Sequence, residues 1–374
     1  MMANLGHILH LTVLNPARHT RIFYKLARSQ VRLGWQVSIA GQDEATNPYR
    51  EDGVTIYPIQ PFHRLSPQRW LVRKKLSALA LRLRPDVIVI HAPELLPLAI
   101  RLQAKTGAKL CYDVHEDFEQ NLLHAVHYPS FLRMFLARRI RKIEQRSLPY
   151  LSAVSYAEAL YQDILGAGEK AIVLENTFSR ESLKATPSPG LPKGPYFLYC
   201  GTIAKEWGSF AAISYWEKLF EFTKIPLVLA GHCPRAEVLA ELQTKIEESP
   251  LRDHIELIGG AAYVPYRDIV SLIEGCYVGF GLYEPLPHLV GKVPTKFYEF
   301  LALGRPLLYP AAWEAFGVAN NLGVVVSESR DVAGIYQDLE SWQALPESER
   351  ASFFWSVEKA GEWMKKVFPE STSR

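Results

Sequence analysis

Short apolar runs rich in β-branched and aromatic residues alternate with longer helical patterns along the whole 374-residue chain. In the first half the runs are "HILHLTV", "QVSIA", "VTIYP", "DVIVIH", "AKLCY", "SAVS" and "AIVL". Between them lie stretches such as "RIFYKLARSQVRLG" and "ELLPLAIRLQAKTG", each closed by the glycine that suits a helix end. Strands apolar throughout must be covered on both faces, and the helices between them supply the cover, so a parallel, doubly wound sheet is predicted. "KATPSPGLPKGP" at 184–195 breaks the pattern and reads as a linker. The alternation restarts with "YFLYC", "PLVLA", "HIELI", "YVGFG", "PLLY" and "GVVV". Two α/β domains are therefore expected, residues 1–187 and 188–350, followed by a helix in 351–374. The tail "ERASFFWSVEKAGEWMKKVF" puts Phe353, Val357, Ala360, Met364 and Val367 on one stripe of a long helix. That helix either closes the second domain or returns to the first.

A 48% hydrophobic, 22% charged composition gives ample core. No apolar run approaches the ~18–20 residues of a membrane span. The N-terminus has no basic stretch before its apolar residues and reads as a first strand rather than a signal peptide. Cys111, Cys200, Cys233 and Cys276 are scattered, without zinc-site or disulfide spacing, so a reducing cytoplasm is expected. The net charge of +3 hides an asymmetry: residues 1–187 carry a surplus of cations and the rest a surplus of acids. Gly53 to Pro85 holds no acid but has Arg64, Arg69, Arg73, Lys74, Lys75, Arg82 and Arg84. Gln120 to Ile143 is also acid-free and carries Arg133, Arg138, Arg139, Arg141 and Lys142. A basic surface on the first half suits an anionic partner.

Ligands of open parallel sheets bind beyond the carboxyl ends of the strands, so loops that leave strands and open helices are the places to look. "LVGKVPTKFYEFLALG" (289–304) sets Glu299 among Phe297, Tyr298, Phe300, Leu301 and Leu303. An ionised carboxylate buried without a partner costs several kcal/mol or more. Glu299 must therefore face water, pair with a neighbour, or be met from outside the chain. Pro294 suits a first helical turn and Gly304 the residue past the end, which places Thr295 and Lys296 at the positive end of the helix. Glu299 lies three residues on, on the face of Lys296. The pair could take a ribose and a diphosphate, or be an ion pair at the surface. "YCGTIAKEWG" offers Gly201, Thr202 and Lys205 before a helix, either as a phosphate loop or as a structural turn. "CYDVHEDFEQ" would point His115 and Glu116 into an inter-domain cleft, or be a capped loop with a solvated acidic face. Asp113 and His115 alone are too few ligands for a metal.

Together these stretches resemble the retaining glycosyltransferases of the GT-B fold, particularly family 4. "HTRIFYKLARSQVRLGWQVSIAG", "IHAPELLPLAIRLQAKTGAKLCYDVHE", "AIVLENTF", "YCGTIAKEWG", "LVLAGHCP", "IELIGGAAYVPYRDIVSLIEGCYVGFGLY" and "VPTKFYEFLALGRPLLYP" follow in family order, and YDVHE and PTKFYEF are the most specific. The resemblance implies two Rossmann-like domains facing a central cleft, the first on the acceptor side and the second binding a nucleotide sugar. It makes Glu299 the second acid of a Glu-x7-Glu motif, which holds the nucleotide ribose, and puts Lys205 and Lys296 on the donor diphosphate. It places His115 by the transferred sugar. Gly201, Thr202 and Thr295 fall in donor-binding loops, and the loop of Gly260 and Tyr263 would meet the base. Arg18, His19, Arg21 and Glu116 fall on the acceptor side. The chain departs from the pattern in several places. Gly291 stands where the first motif acid belongs, leaving sugar recognition to backbone or to Glu284. Thr202 and Trp207 stand where Arg and Lys are common, and His19 where Asp is.

The implied reaction is sugar transfer from a nucleoside diphosphate sugar, UDP-linked by family frequency, to a hydroxyl of a glycan, lipid-linked or small-molecule acceptor, with retention. No metal or other cofactor and no nucleic acid is expected. Two alternatives remain: a sugar-nucleotide epimerase on the same fold, and a non-catalytic scaffold, which the missing acid and arginine motivate. The basic stretch 66–84 places Val72, Leu76, Leu79 and Leu83 on one stripe, either packed on the sheet or presenting a basic face with Trp70 to anionic lipid. Tyr128, Phe131 and Phe135 beside the second basic run could do the same.

Overall fold

The computed structural model of the chain describes residues 5–62, 66–124, 128–184, 186–286, 289, 291–327 and 329–368; Arg64 of the first basic run lies outside them. The chain divides into two compact units, Met1–Asn176 with Ser356–Arg374, and Thr177–Trp355.

Among the described residues, the sheet of the first unit has eight strands. Their spatial order is Tyr49–Glu51, Val54–Ile59, Gln36–Gln42, His7–Pro16, Val87–Ile90, Lys109–Val114, Ala153–Tyr156 and Ala171–Val173. All neighbours pair in parallel except the first two, which are antiparallel. Every apolar run of the first half forms one of these strands. Tyr49–Glu51 had no such signal, being short and polar; it exists because Asp52 and Gly53, at φ of 49° and 82°, turn the chain back on itself. Strand order reverses between His7–Pro16 and Val87–Ile90, and the loops at such a point open a crevice at the carboxyl edge. Leu9, Leu11, Ile88, Ile90 and Leu110 fill the core on one face, and Ile22, Phe23, Val37 and Ile39 fill it on the other.

The helix Gln68–Leu83 buries Val72, Leu76 and Ala80, with Leu79 and Leu83 packed at the margin of the same core. The stripe seen in the sequence is therefore core packing, each fully buried aliphatic side chain contributing about 1.5–3 kcal/mol.

The six strands described in the second unit run in the order Ile255–Gly260, Leu227–His232, Phe197–Cys200, Val278–Phe280, Leu307–Pro310 and Gly323–Val326, all parallel. Both faces are covered. Phe197 and Tyr199 point into one apolar cluster, while Leu198 and Cys200 point into the other. The order reverses between Phe197–Cys200 and Val278–Phe280, which sets the loop beginning at Gly201 beside the one leaving Phe280.

Two boundaries differ from those read in the sequence. The first division falls at Asn176/Thr177, not in 184–195. That stretch belongs to the second unit: Ser188 N–H donates to Asp268 at 2.8 Å, and Leu191 packs on its core. The C-terminal stripe is not one helix either. Glu347–Arg350 and Ala351–Phe353 end against the second unit, where Phe178 N–H donates to the Phe353 carbonyl (2.9 Å) and Trp355 N–H to that of Phe178 (2.7 Å). A new helix, Val357–Val367, starts at Ser356, whose hydroxyl accepts from Lys359 N–H at 3.1 Å. It buries Ala360, Trp363, Met364 and Val367 in the first unit, against Arg28–Arg32 and the strand Ala153–Tyr156.

Candidate functional site

In the second unit the helix Thr295–Leu303 begins with Pro294 as its cap rather than within its first turn, and it ends on Gly304 in the left-handed conformation. Among the described residues no side chain caps its start, so first-turn N–H groups face the carboxyl edge of the sheet without a side-chain acceptor there. Glu299 is buried, 3% exposed, and its partners come from the chain itself. Lys296 Nζ donates to Oε2 at 2.6 Å, and the Tyr266 hydroxyl donates to Oε1 at 2.9 Å. Of the options open to this carboxylate, the structure takes the second, and the pair is interior rather than superficial. Burial works to lower the Lys296 pKa, but the Glu299 carboxylate outweighs it and the net shift is upward, so the lysine is firmly charged. Lys296 stays 18% exposed, and its Cε would lie 3.7 Å from a Cβ built on Gly201. Gly231 must be glycine, because a Cβ there would meet the Gly201 carbonyl oxygen at 1.7 Å. Gly201, Lys296, Glu299 and Tyr266 thus form one cluster at the switch point of the sheet.

The other donor-side residues surround it unevenly. The Thr202 carbonyl accepts from Tyr199 Oη at 2.6 Å, and Thr295 is the half-buried first residue of the helix. Gly260 ends its strand and accepts from Cys233 N–H at 2.8 Å, while Tyr263 stands 76% exposed nearby in sequence. Lys205 does not join the cluster: half exposed, it is ion-paired to Glu241 and lies 5.4 Å from the Phe210 ring. Glu284 is exposed, and Trp207 packs edge-on against Tyr283.

In the first unit the acidic loop after Lys109–Val114 is organised around Asp113, which is fully buried. Arg21 donates to it three times, from Nε to both oxygens at 3.0 Å and from a terminal nitrogen at 2.7 Å, and its other nitrogen donates to the Leu174 carbonyl at 2.7 Å. Ser155 Oγ (2.7 Å) and His91 Nδ1 (3.1 Å) complete the shell. Burial acts to raise the Asp113 pKa, but Arg21 and the two histidine contacts outweigh it and hold it well below the usual carboxylate range. Behind His91, His10 Nδ1 sits 2.9 Å from Nε2, and His10 Nε2 lies 2.7 Å from the Gln30 amide. Burial pushes the pKa of both rings down, that of His10 to about 3. Gln30 presents its amide oxygen to His10, while its amide nitrogen faces Met364 Sδ at 4.0 Å. His115 is nearly buried: Nε2 is 3.3 Å from Asn15 Nδ2, and the ring lies 5.6 Å from that of His19. Burial, then His115, lowers the His19 pKa to about 3, and its Nδ1 has no partner among the described residues.

His91, Asp113 and His115 lie close enough for their ligand atoms to share an ion. The donor set does not fit one. Both Asp113 oxygens are already engaged, by Arg21, Ser155 and His91, and the Arg21 guanidinium already balances the carboxylate's charge.

Several acceptor-side residues are corrected by this geometry. Arg21, at 0% exposure with its donors engaged, cannot touch a ligand and acts by holding Asp113. Arg18 turns outward to Glu51 at 2.6 Å. Glu116 accepts from Asn121, and Asp117 and Glu119 are neutralised by Arg141. His19 does join His115. The sequence reading missed His10, His91, Ser155 and Tyr266. The two histidines each stand in or just after an apolar strand run, "HLTV" and "DVIVIH", which is the one signal that would have flagged them.

Residues 19–167 match the family described as glycosyl transferase 4-like domain. No curated protein matches the sequence. Among solved structures, a sucrose-phosphate synthase from Thermosynechococcus elongatus aligns over 98% of this chain and 100% of its own, at 12% identity and a TM-score of 0.71. HepE of Anabaena, solved with UDP-glucose, aligns over 98% and 100% at 14% identity and a TM-score of 0.62. A UDP-forming α,α-trehalose-phosphate synthase from Burkholderia xenovorans, solved with glucose-6-phosphate, aligns over 96% and 99% at 13% identity and 0.62. Likeness at such identities is likeness of fold, and the fold is GT-B. The chain therefore has the GT-B fold, and residues 19–167 of its first unit match a glycosyl transferase 4-like domain.

Proposed function

We propose that the protein transfers a sugar from a UDP-sugar to an acceptor hydroxyl with retention of configuration, and that Glu299, Lys296 and the start of their helix hold the nucleotide. The observation that carries this reading is the buried Glu299–Lys296 pair, set at an uncapped helix start beside Gly201. A buried carboxylate accepts the two hydroxyls of a ribose well, and a lysine on a flexible stem can leave it for a diphosphate. Support for uridine comes from HepE, solved with UDP-glucose, and from the UDP-forming synthase. The latter's glucose-6-phosphate adds sugar phosphates to the glycan and lipid-linked acceptors.

Catalysis on this reading is electrostatic. Lys296 and the helix N–H groups stabilise negative charge as the diphosphate leaves. The acceptor hydroxyl attacks from the face the diphosphate vacates, and the leaving phosphate takes the proton. Lys205 assists only after breaking its pair with Glu241, so it is the lesser cation. His115 keeps its proposed place beside the transferred sugar, its ring fixed by Asn15 and Asp113.

The test is incubation with UDP-, GDP- and ADP-sugars, each with and without glycan, lipid-linked and sugar-phosphate acceptors, scoring nucleotide release and the anomeric configuration of the product. UDP release with a retained anomer supports the proposal. UDP-sugar consumption without an acceptor points to the epimerase, and no nucleotide binding at all points to the scaffold.

A further inference from the structure

The helix Ser130–Ser147 has an inner and an outer face with different chemistry. The inner face buries Ala137, Glu144 and Ser147. Arg141 also turns inward to Asp117, Glu119 and Glu144, and Tyr112 Oη donates to Glu144 at 2.7 Å. The outer face carries Phe131, Met134 and Phe135, exposed by 73%, 47% and 58%, and then Arg138, Arg139, Lys142 and Arg146. These positions follow the helical repeat, so they make one stripe, apolar in its first half and cationic in its second. Among the described residues no carboxylate pairs with its four cations. The stripe lines a groove of about 600 Å³, together with Pro97 and Ile143.

The other basic helix is different. Its apolar stripe is core, and Arg69 and Arg73 are tied to Glu94 by an ion pair and a carbonyl hydrogen bond. Arg73 nonetheless feels Arg101 and Arg139, so these cations reinforce one positive field.

We propose that the outer stripe of Ser130–Ser147 docks the protein on an anionic lipid surface, with Phe131, Met134 and Phe135 at the acyl boundary and the four cations among the headgroups. Three large apolar side chains grouped at one end of a cationic stripe gain from an acyl layer and much less from a nucleic-acid backbone. No described helix is long and apolar enough to cross a bilayer, so the contact lies in the plane of the surface. The proposal does not rest on the donor site and stands or falls without it.

The experiment is co-sedimentation of the full chain with phosphatidylcholine vesicles, with and without phosphatidylglycerol, at low and high salt. Binding is expected only with phosphatidylglycerol and should weaken with salt. Each cation is worth about a factor of five, so Arg138→Gln, Arg139→Gln and Lys142→Gln together should lose roughly a hundredfold. Phe131→Ser with Phe135→Ser should weaken binding at both salt concentrations, and Trp70→Ser should leave it unchanged. All three variants alter exposed positions, and circular dichroism checks that they fold. A fluorophore on Phe131→Cys gives an independent readout, because the four native cysteines are buried; its emission should shift to the blue on anionic vesicles. No vesicle binding, binding indifferent to both multiple variants, an unshifted fluorophore, or tight binding of single-stranded RNA in place of vesicles would each overturn the proposal.

Discussion

Asp113 and Glu299 are buried carboxylates, one in each unit, and they are partnered in opposite ways. Asp113 is sealed: a fully buried arginine, a serine and a histidine use both oxygens, and no exposed group takes part. Glu299 has one tyrosine and one lysine, and the lysine reaches solvent along a flexible stem. Saturated, rigid partners make a structural element that orients its surroundings. Fewer partners, one of them mobile, leave a carboxylate that a ligand can claim.

The largest expected effect tests the sealed side. Arg21→Ala strands the Asp113 charge and should cost about 3–5 kcal/mol of stability, read by urea denaturation. A loss below about 1 kcal/mol would break the comparison, since Asp113 would then have other means of paying for its burial. On the open side, Glu299→Ala should lower affinity for UDP about ten- to a hundredfold by titration calorimetry, while costing less stability than Arg21→Ala because Lys296 can turn to water. If both substitutions destabilise equally, the two carboxylates are the same kind of element.

Acid sharpens the contrast next. His10, behind Asp113, has a folded pKa of about 3 against roughly 6.5 when unfolded. Between those values the unfolded chain binds a proton that the folded unit refuses, so stability falls as pH drops, by up to about 1.4 kcal/mol per pH unit. Melting temperature should decline from pH 7 to pH 5, and His10→Gln should flatten that decline. The smallest effect belongs to Tyr266→Phe. It removes one hydrogen bond to Glu299 and should weaken UDP binding about three- to tenfold, yet leave binding of a 2′,3′-dideoxy analogue unchanged. Equal weakening of both ligands would make Tyr266 a packing residue only.

How much of this was legible follows from where the information lies. Apolar runs report burial on two faces, so thirteen strand runs and their parallel arrangement could be read from sequence alone. Tyr49–Glu51 could not, because an edge strand is specified by its turn rather than by hydrophobicity. The unit boundaries were misread because a Pro/Gly-rich stretch signals irregular backbone, not separation: Ser188 and Leu191 are fastened to the second unit by contacts distant in sequence. The Lys296–Glu299 spacing predicted a shared face, and the two do meet. Its third member, Tyr266, was hidden because only the tertiary fold brings position 266 to 299. Arg21 illustrates the same limit from the other side. A charged residue at the start of a helical stretch reads as accessible to a ligand until the structure pairs it with buried Asp113.

Calorimetric titration of UDP into wild type, Glu299→Ala and Glu299→Gln tests the central claim most directly. The account predicts a single site in wild type, weakened at least tenfold in both variants, whose folding is intact. UDP binding of equal strength in all three proteins would contradict it.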